Sequence, residues 1–101
     1  MRISSEIQDN SVYIMLDGKM YVQESNAVRD EVYNYVEQGY VMFVFDMKKL
    51  EYIDSSGLGV LVGLHKKITN ENGKIILKGI NGMVKDVIEL TRLNLVFEIQ
   101  A

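Results

Sequence analysis

The sequence has 101 residues, of which 48% are hydrophobic; this suffices for one domain with a packed core, residues 1–101. Its net charge is −3, so it lacks the basic excess that nucleic-acid-binding proteins usually carry. The absence of cysteine excludes disulfides and thiolate metal sites, and the single histidine disfavours a transition-metal site. We expect no cofactor and no direct contact with nucleic acid.

No segment resembles a targeting or membrane element. Residues 1–10 lack the apolar core of a signal peptide, and the longest apolar runs, such as Val41–Phe45, are far shorter than a membrane span. We therefore expect a soluble, cytoplasmic protein that does not contact the membrane.

The chain begins with two predicted strands, Arg2–Ile7 and Ser11–Leu16. Asp9 and Asn10 between them suit a tight turn, which predicts an antiparallel hairpin, and Gly18 is expected to end the second strand.

Valines then recur every four residues, which is the spacing of one helix face. They are Val28, Val32 and Val36. The pattern predicts a helix that starts between Val22 and Ser25 and runs to Gln38, with Gly39 as its C-terminal cap.

The run Val41–Phe45 is continuously apolar, which is typical of a central strand covered on both faces. We expect Asp46 to end this strand and residues 48–51 to form a polar connection. That connection leads to a loop at Asp54–Ser56.

The rest of the chain alternates between helix and strand. The predicted elements are a helix at Leu58–Thr69, a turn at Asn70–Gly73, a strand at Ile75–Leu77, a helix capped by Asn81, and a last strand at Leu95–Ile99. This order predicts an α/β fold: a mixed, mostly parallel sheet with an N-terminal hairpin and three main helices packed on it. Functional loops of such sheets follow the carboxyl ends of strands, where Ser55 lies.

The segment Asp54–Gly59 joins a carboxylate and two hydroxyls to two glycines at a predicted helix start. A helix N-terminus offers unpaired amides and partial positive charge, so a serine there suits a switch operated by phosphate. Alternatively, Ser55 or Ser56 serves only as the helix N-cap.

Other chemistries fit this segment poorly. Gly57, Gly59 and Gly63 resemble a dinucleotide-binding turn, but the third glycine falls one position late. A serine hydrolase would need His65 beside Ser55, whereas a helix starting near Gly57 places that histidine roughly 12 Å away along its axis. The glycines then serve a bend and a close approach of helix to sheet. Asp46 and Asp54 together are too few ligands for a divalent ion.

The string from Asp54 to Val60 resembles the signature loop of bacterial anti-sigma factor antagonists, which belong to the STAS domain group. The likeness covers nearly the whole chain. It includes Leu16–Gly18, Val44–Asp46, Leu50–Asp54, Gly73 and Val84–Leu90.

This resemblance implies a non-enzymatic partner switch. In the family, the unphosphorylated antagonist binds an anti-sigma factor that is also a serine kinase, and so frees the sigma factor. The kinase phosphorylates the first serine of the motif, which matches Ser55, and a serine phosphatase resets the protein. The loop that would face the partner comprises Asp54, Ser56, Gly57, Leu58 and Gly59, with Asp46 in a supporting role.

One residue departs from the family pattern. Tyr21 stands where relatives often carry an acid near the phosphorylation loop. This departure bears on which kinase recognises the surface. Two alternatives also stay open: a scaffold of the same fold in another signalling complex, and a module that binds a small molecule or nucleotide.

Overall fold

A computed structural model describes all 101 residues. It contains a five-stranded sheet whose strands are ordered as in the sequence. The strands are β1 (Arg2–Gln8), β2 (Ser11–Met20), β3 (Met42–Ile53), β4 (Lys74–Lys78) and β5 (Glu98–Gln100). The helices are α1 (Val22–Glu37), α2 (Ser55–Asn70) and α3 (Gly82–Leu90), with a 3₁₀ turn at Leu93–Leu95.

The strand pairing confirms the predicted mixed, mostly parallel sheet. β1 and β2 form an antiparallel hairpin, and Asp9 in its turn adopts a left-handed conformation with φ 57°. β2, β3, β4 and β5 are mutually parallel. Each parallel step is made by a helical crossover, as the alternation of elements predicts.

The two central strands extend further than predicted. β3 continues through Asp46 to Ile53, so the prediction that this residue ends the strand and that residues 48–51 form a polar connection was wrong. β2 likewise passes through Gly18, which has φ 118°, and ends at Met20. Two register shifts interrupt the β2–β3 pairing, and such bulges let both strands bend while remaining paired.

The core lies on one face of the sheet only. Nineteen buried hydrophobic residues form a single cluster that includes side chains from the sheet and from all three helices. Along β3, for example, Phe43 and Phe45 are buried, whereas Met42 and Val44 remain partly exposed on the opposite face. The prediction that this apolar run is covered on both faces was therefore wrong.

The first helix ends as predicted. Gly39 adopts φ 99° directly after the C-cap Gln38. Its amide donates to the carbonyl of Val36, and the amide of Tyr40 donates to that of Tyr35, both at 3.0 Å. These two bonds form a Schellman motif, which satisfies carbonyls left free at the helix end.

The C-terminal third differs in detail from the prediction. Asn81 occupies the N-cap position of α3, but its side-chain amide donates to the carbonyls of Lys48 and Gly79 instead of capping the helix. The predicted strand at Leu95–Ile99 begins only at Glu98, because Leu95 ends a 3₁₀ turn and Val96 and Phe97 form a turn and a bend. At this edge the ammonium of Lys74 lies 2.6 Å from the Glu98 carboxylate and lowers its pKa.

None of the helices combines the length and the apolar character needed to cross a bilayer.

Replacing Gly73 by alanine is expected to destabilise the fold. A Cβ at this position would collide with the carbonyl oxygen of Val41 and would lie 2.7 Å from Cγ2 of Ile68. The backbone is held there because the Lys74 amide donates to the same carbonyl at 2.9 Å. We expect Gly73→Ala to lower the free energy of unfolding by about 1–3 kcal/mol in urea titrations. The control Gly59→Ala meets open space and should raise it by up to about 1 kcal/mol.

Candidate functional site

Ser55 is the first residue of α2, directly after the carboxyl end of β3. The N-cap is Asp54, which has extended backbone geometry, and its Oδ1 accepts a hydrogen bond from the Gly57 amide at 3.0 Å. The alternative that Ser55 or Ser56 caps the helix was therefore wrong, and α2 begins three residues earlier than predicted. Asp54 takes the capping role, which leaves both serines free of it.

Ser55 is exposed, and its hydroxyl does not cap α2, because the Asp54 carboxylate accepts the hydrogen bond from the Gly57 amide. The amides of the first two helical positions, Ser55 and Ser56, have no intrahelical acceptor. The aligned peptide dipoles of α2 add partial positive charge at this end. The Ser55 hydroxyl is thus exposed to solvent at the N-terminus of α2, where the partial positive charge of the helix favours a negatively charged group such as phosphate.

Gly57 and Gly59 have different environments although both belong to the motif. Gly57 is buried, and a Cβ there would lie 2.5 Å from Cγ1 of Ile53 and 3.4 Å from Cγ of Met20. Only glycine therefore lets the first turn of α2 pack onto the ends of β2 and β3. Gly59 is exposed and a Cβ there would meet nothing within 4 Å. The predicted close approach of helix to sheet thus depends on Gly57 alone.

The remaining motif residues point in different directions. Leu58 is partly buried and packs against the core cluster. Ser56 instead lines a groove between α1 and α2, together with Asn26, Arg29 and Tyr33 from α1. The motif therefore anchors the helix on one side and opens onto a surface groove on the other.

The start of α1 lies beside the start of α2. The amide of Asp54 donates to the carbonyl of Met20 at 3.4 Å, one residue before the α1 N-cap Tyr21. The rings of Tyr21 and Tyr52 are 5.2 Å apart, and Tyr21 remains 48% exposed. The starts of α1 and α2 and this aromatic pair thus lie at the same end of the domain. No local pattern indicates this pair, because its members are far apart in sequence.

Asp46 lies inside β3, eight residues before Asp54, paired in register with Met15 on β2 and Lys78 on β4. Its carboxylate accepts a hydrogen bond from the amide of Lys48 and lies 3.8 Å from that residue's ammonium. None of these contacts reaches the Asp54–Gly59 segment.

His65 is partly buried and packs edge-on against Phe97, with ring centroids 5.2 Å apart. It lies ten residues after Ser55 on the same helix, about 15 Å along the axis, so it is not placed as a base for that hydroxyl. Nowhere does the chain bring three or more potential ligands among His, Asp and Glu together for a metal ion.

Removing the Asp54 cap should weaken the fold, whereas removing the Ser55 hydroxyl should not. Asp54→Ala deletes the acceptor for the Gly57 amide, and we expect thermal or urea unfolding to show a loss of about 0.5–2 kcal/mol. Asp54→Asn keeps a capping oxygen and should retain most of this stability. Ser55→Ala should stay within about 0.5 kcal/mol of the parent. An equal loss in the Ala variants at both positions would contradict this division of roles.

Comparison with known proteins matches the sequence of this chain to one family. The STAS domain family matches residues 2–101. The chain is 30% identical to the anti-sigma-B factor antagonist of Listeria monocytogenes over 105 residues, covering 99% of this chain and 90% of that protein.

Two solved structures share the fold. A crystal structure of a putative anti-sigma factor antagonist from Thermotoga maritima superposes with a TM-score of 0.92 at 26% identity, covering 98% of this chain and 86% of that one. SpoIIAA from Bacillus, solved in its phosphorylated form, gives a TM-score of 0.81 at 20% identity, covering 99% and 91% of the two chains. The chain therefore belongs to the STAS domain family, and to the anti-sigma factor antagonists within it.

Proposed function

We propose that this chain is the phosphate-controlled component of a partner switch. In its unphosphorylated form it binds an anti-sigma factor that is also a serine kinase, and the sigma factor is released. Phosphorylation of Ser55 ends the interaction, and a serine phosphatase restores it. The observation that carries this proposal is the position of Ser55, which is exposed at the first residue of α2 and is not the residue that caps the helix.

The position explains how a phosphate can act on the complex and spare the fold. Phosphorylation adds about −1.5 to −2 charges at neutral pH. In the free protein this charge lies in water at the positive end of α2, where the cap by Asp54 is retained. In a close interface the same phosphate must be desolvated and matched by donors, or it repels nearby acids and bound nucleotide phosphates. A tenfold loss of affinity needs only about 1.4 kcal/mol.

The relatives support this assignment. The Listeria monocytogenes protein is named for its action against an anti-sigma factor, and SpoIIAA has been solved with phosphate attached. Tyr21 contributes an aromatic ring next to Tyr52 at this end of the domain. We propose that the two rings belong to the surface that the kinase recognises.

Each motif residue has a role in this scheme. Asp54 fixes the start of α2, and Gly57 holds the first turn against Ile53. Leu58 anchors the helix from the core side, while Ser56 and Gly59 face outward. The chain supplies an acceptor hydroxyl and a contact surface, and the kinase supplies the catalytic groups. The protein is therefore a regulator and not an enzyme.

Variants at Ser55 test the proposal directly. Ser55→Ala should bind the anti-sigma factor with an affinity close to that of the unmodified chain, because Asp54 and not this hydroxyl caps α2 and the substitution adds no charge. Ser55→Asp adds a charge at the interface and should weaken binding at least about tenfold. Isothermal titration against the anti-sigma factor of the same organism, loaded with ADP, measures both affinities.

Incubation with that kinase and ATP, followed by intact-mass and peptide mass spectrometry, should show one added phosphate at Ser55. Ser56→Ala is the matched control and should still be modified, whereas Ser55→Ala should not. Phosphate mapped to another residue, or unchanged affinity of Ser55→Asp, would contradict the proposal.

A further inference from the structure

A groove runs between α1 and α2 from a point one residue beyond Ser55. The groove has a volume of about 350 Å³, and its lining includes Asn26, Arg29, Tyr33, Ser56, Gly59 and Gly63. Because Ser56 is both the neighbour of the phosphate acceptor and part of the wall, a partner bound over the start of α2 reaches the groove without a gap.

The charge that lines the groove is positive. Arg29 is the only charged residue among those that line it. Its guanidinium is 43% exposed and lies 3.4 Å from the carboxylate of Asp30, which is 70% exposed and outside the groove. Exposed pairs of this kind contribute little, so the guanidinium remains available to an acid presented from outside.

Gly59 and Gly63 contribute bare backbone to the groove, beside the side chains of Val60 and Leu64. Gly59 and Gly63 lie four residues apart on α2, and a Cβ at either position would meet nothing within 4 Å. Packing within the domain therefore does not require glycine at these two positions, in contrast to Gly57. Glycine disfavours a helix interior relative to alanine, so the fold alone would be better served by alanine at both.

We propose that the groove between α1 and α2 receives a segment of the anti-sigma factor that presents a carboxylate side chain to Arg29, with its backbone close to Gly59 and Gly63. This inference rests on the proposed function and extends its interface along α2. The occupant is acidic because the sole charge in the groove is positive, and it approaches closely because the two glycines leave room for it.

Charge reversal in the groove tests the acidic occupant. Arg29→Glu should weaken binding to the ADP-loaded anti-sigma factor at least about tenfold in isothermal titration. Lys85→Glu makes the same change of charge at an exposed position on α3, outside the groove, and should change affinity by less than about twofold. Equal affinities of the two variants would overturn the proposal.

Gly63→Ala separates folding from binding. The added methyl group should raise Tm by roughly 2–8 °C, since it favours the helix and meets no neighbour. In the complex it intrudes on the occupant, and affinity should fall at least about threefold. A raised Tm with unchanged affinity would overturn the proposal.

The unmodified chain and Ser55→Asp are titrated alongside. If the unmodified chain binds and Ser55→Asp does not, while the Arg29 and Gly63 variants bind normally, only the groove proposal fails. If the unmodified chain does not bind the anti-sigma factor, the proposed function fails, and the groove proposal fails with it.

Discussion

The hydrogen bond from the Gly57 amide to the Asp54 carboxylate determines what the two serines are free to do. The first amides of a helix have no acceptor within the helix, and a side-chain oxygen at the N-cap can accept a hydrogen bond from one of them. Serine is among the residues best suited to this role. Because Asp54 caps α2, the hydroxyl of Ser55 is not needed as a helix cap. It can be esterified without loss of a bond on which the fold depends. The cap is thus the structural condition for a switch at this position.

The glycines around the cap have two different physical origins. Gly57 is required by packing, since a methyl group there would meet Ile53 at 2.5 Å, and this contact fixes where α2 sits on the sheet. A Cβ at Gly59 or Gly63 would meet nothing within 4 Å. These two glycines therefore lower helix stability relative to alanine, and packing within the domain does not require them. Residues that weaken the fold and face outward are expected where a surface serves another molecule.

Much of the fold follows from local sequence patterns. The hairpin at Asp9, the helix ended by Gly39 and the alternation of strands and helices are all confirmed, because each depends on periodicity or on a turn residue nearby. The length of β3 does not follow from such a pattern. Its buried residues change from a spacing of two to a spacing of three beyond Met47, where the pairing with β2 shifts register. Only the partner strand shows that residues 48–51 remain in the sheet.

Local sequence patterns also do not determine where α2 starts, and this start defines the site. The sequence suggests Ser55 or Ser56 as the cap, whereas Asp54, which carries an equally good capping oxygen, occupies that position. The choice is made by tertiary contact, since the helix frame must place Gly57 over Ile53. With that frame, Ser55 faces water and Ser56 faces the groove beside Arg29. Neighbouring hydroxyls of the same chemistry thereby acquire different surroundings, and this difference is what the proposed kinase would distinguish.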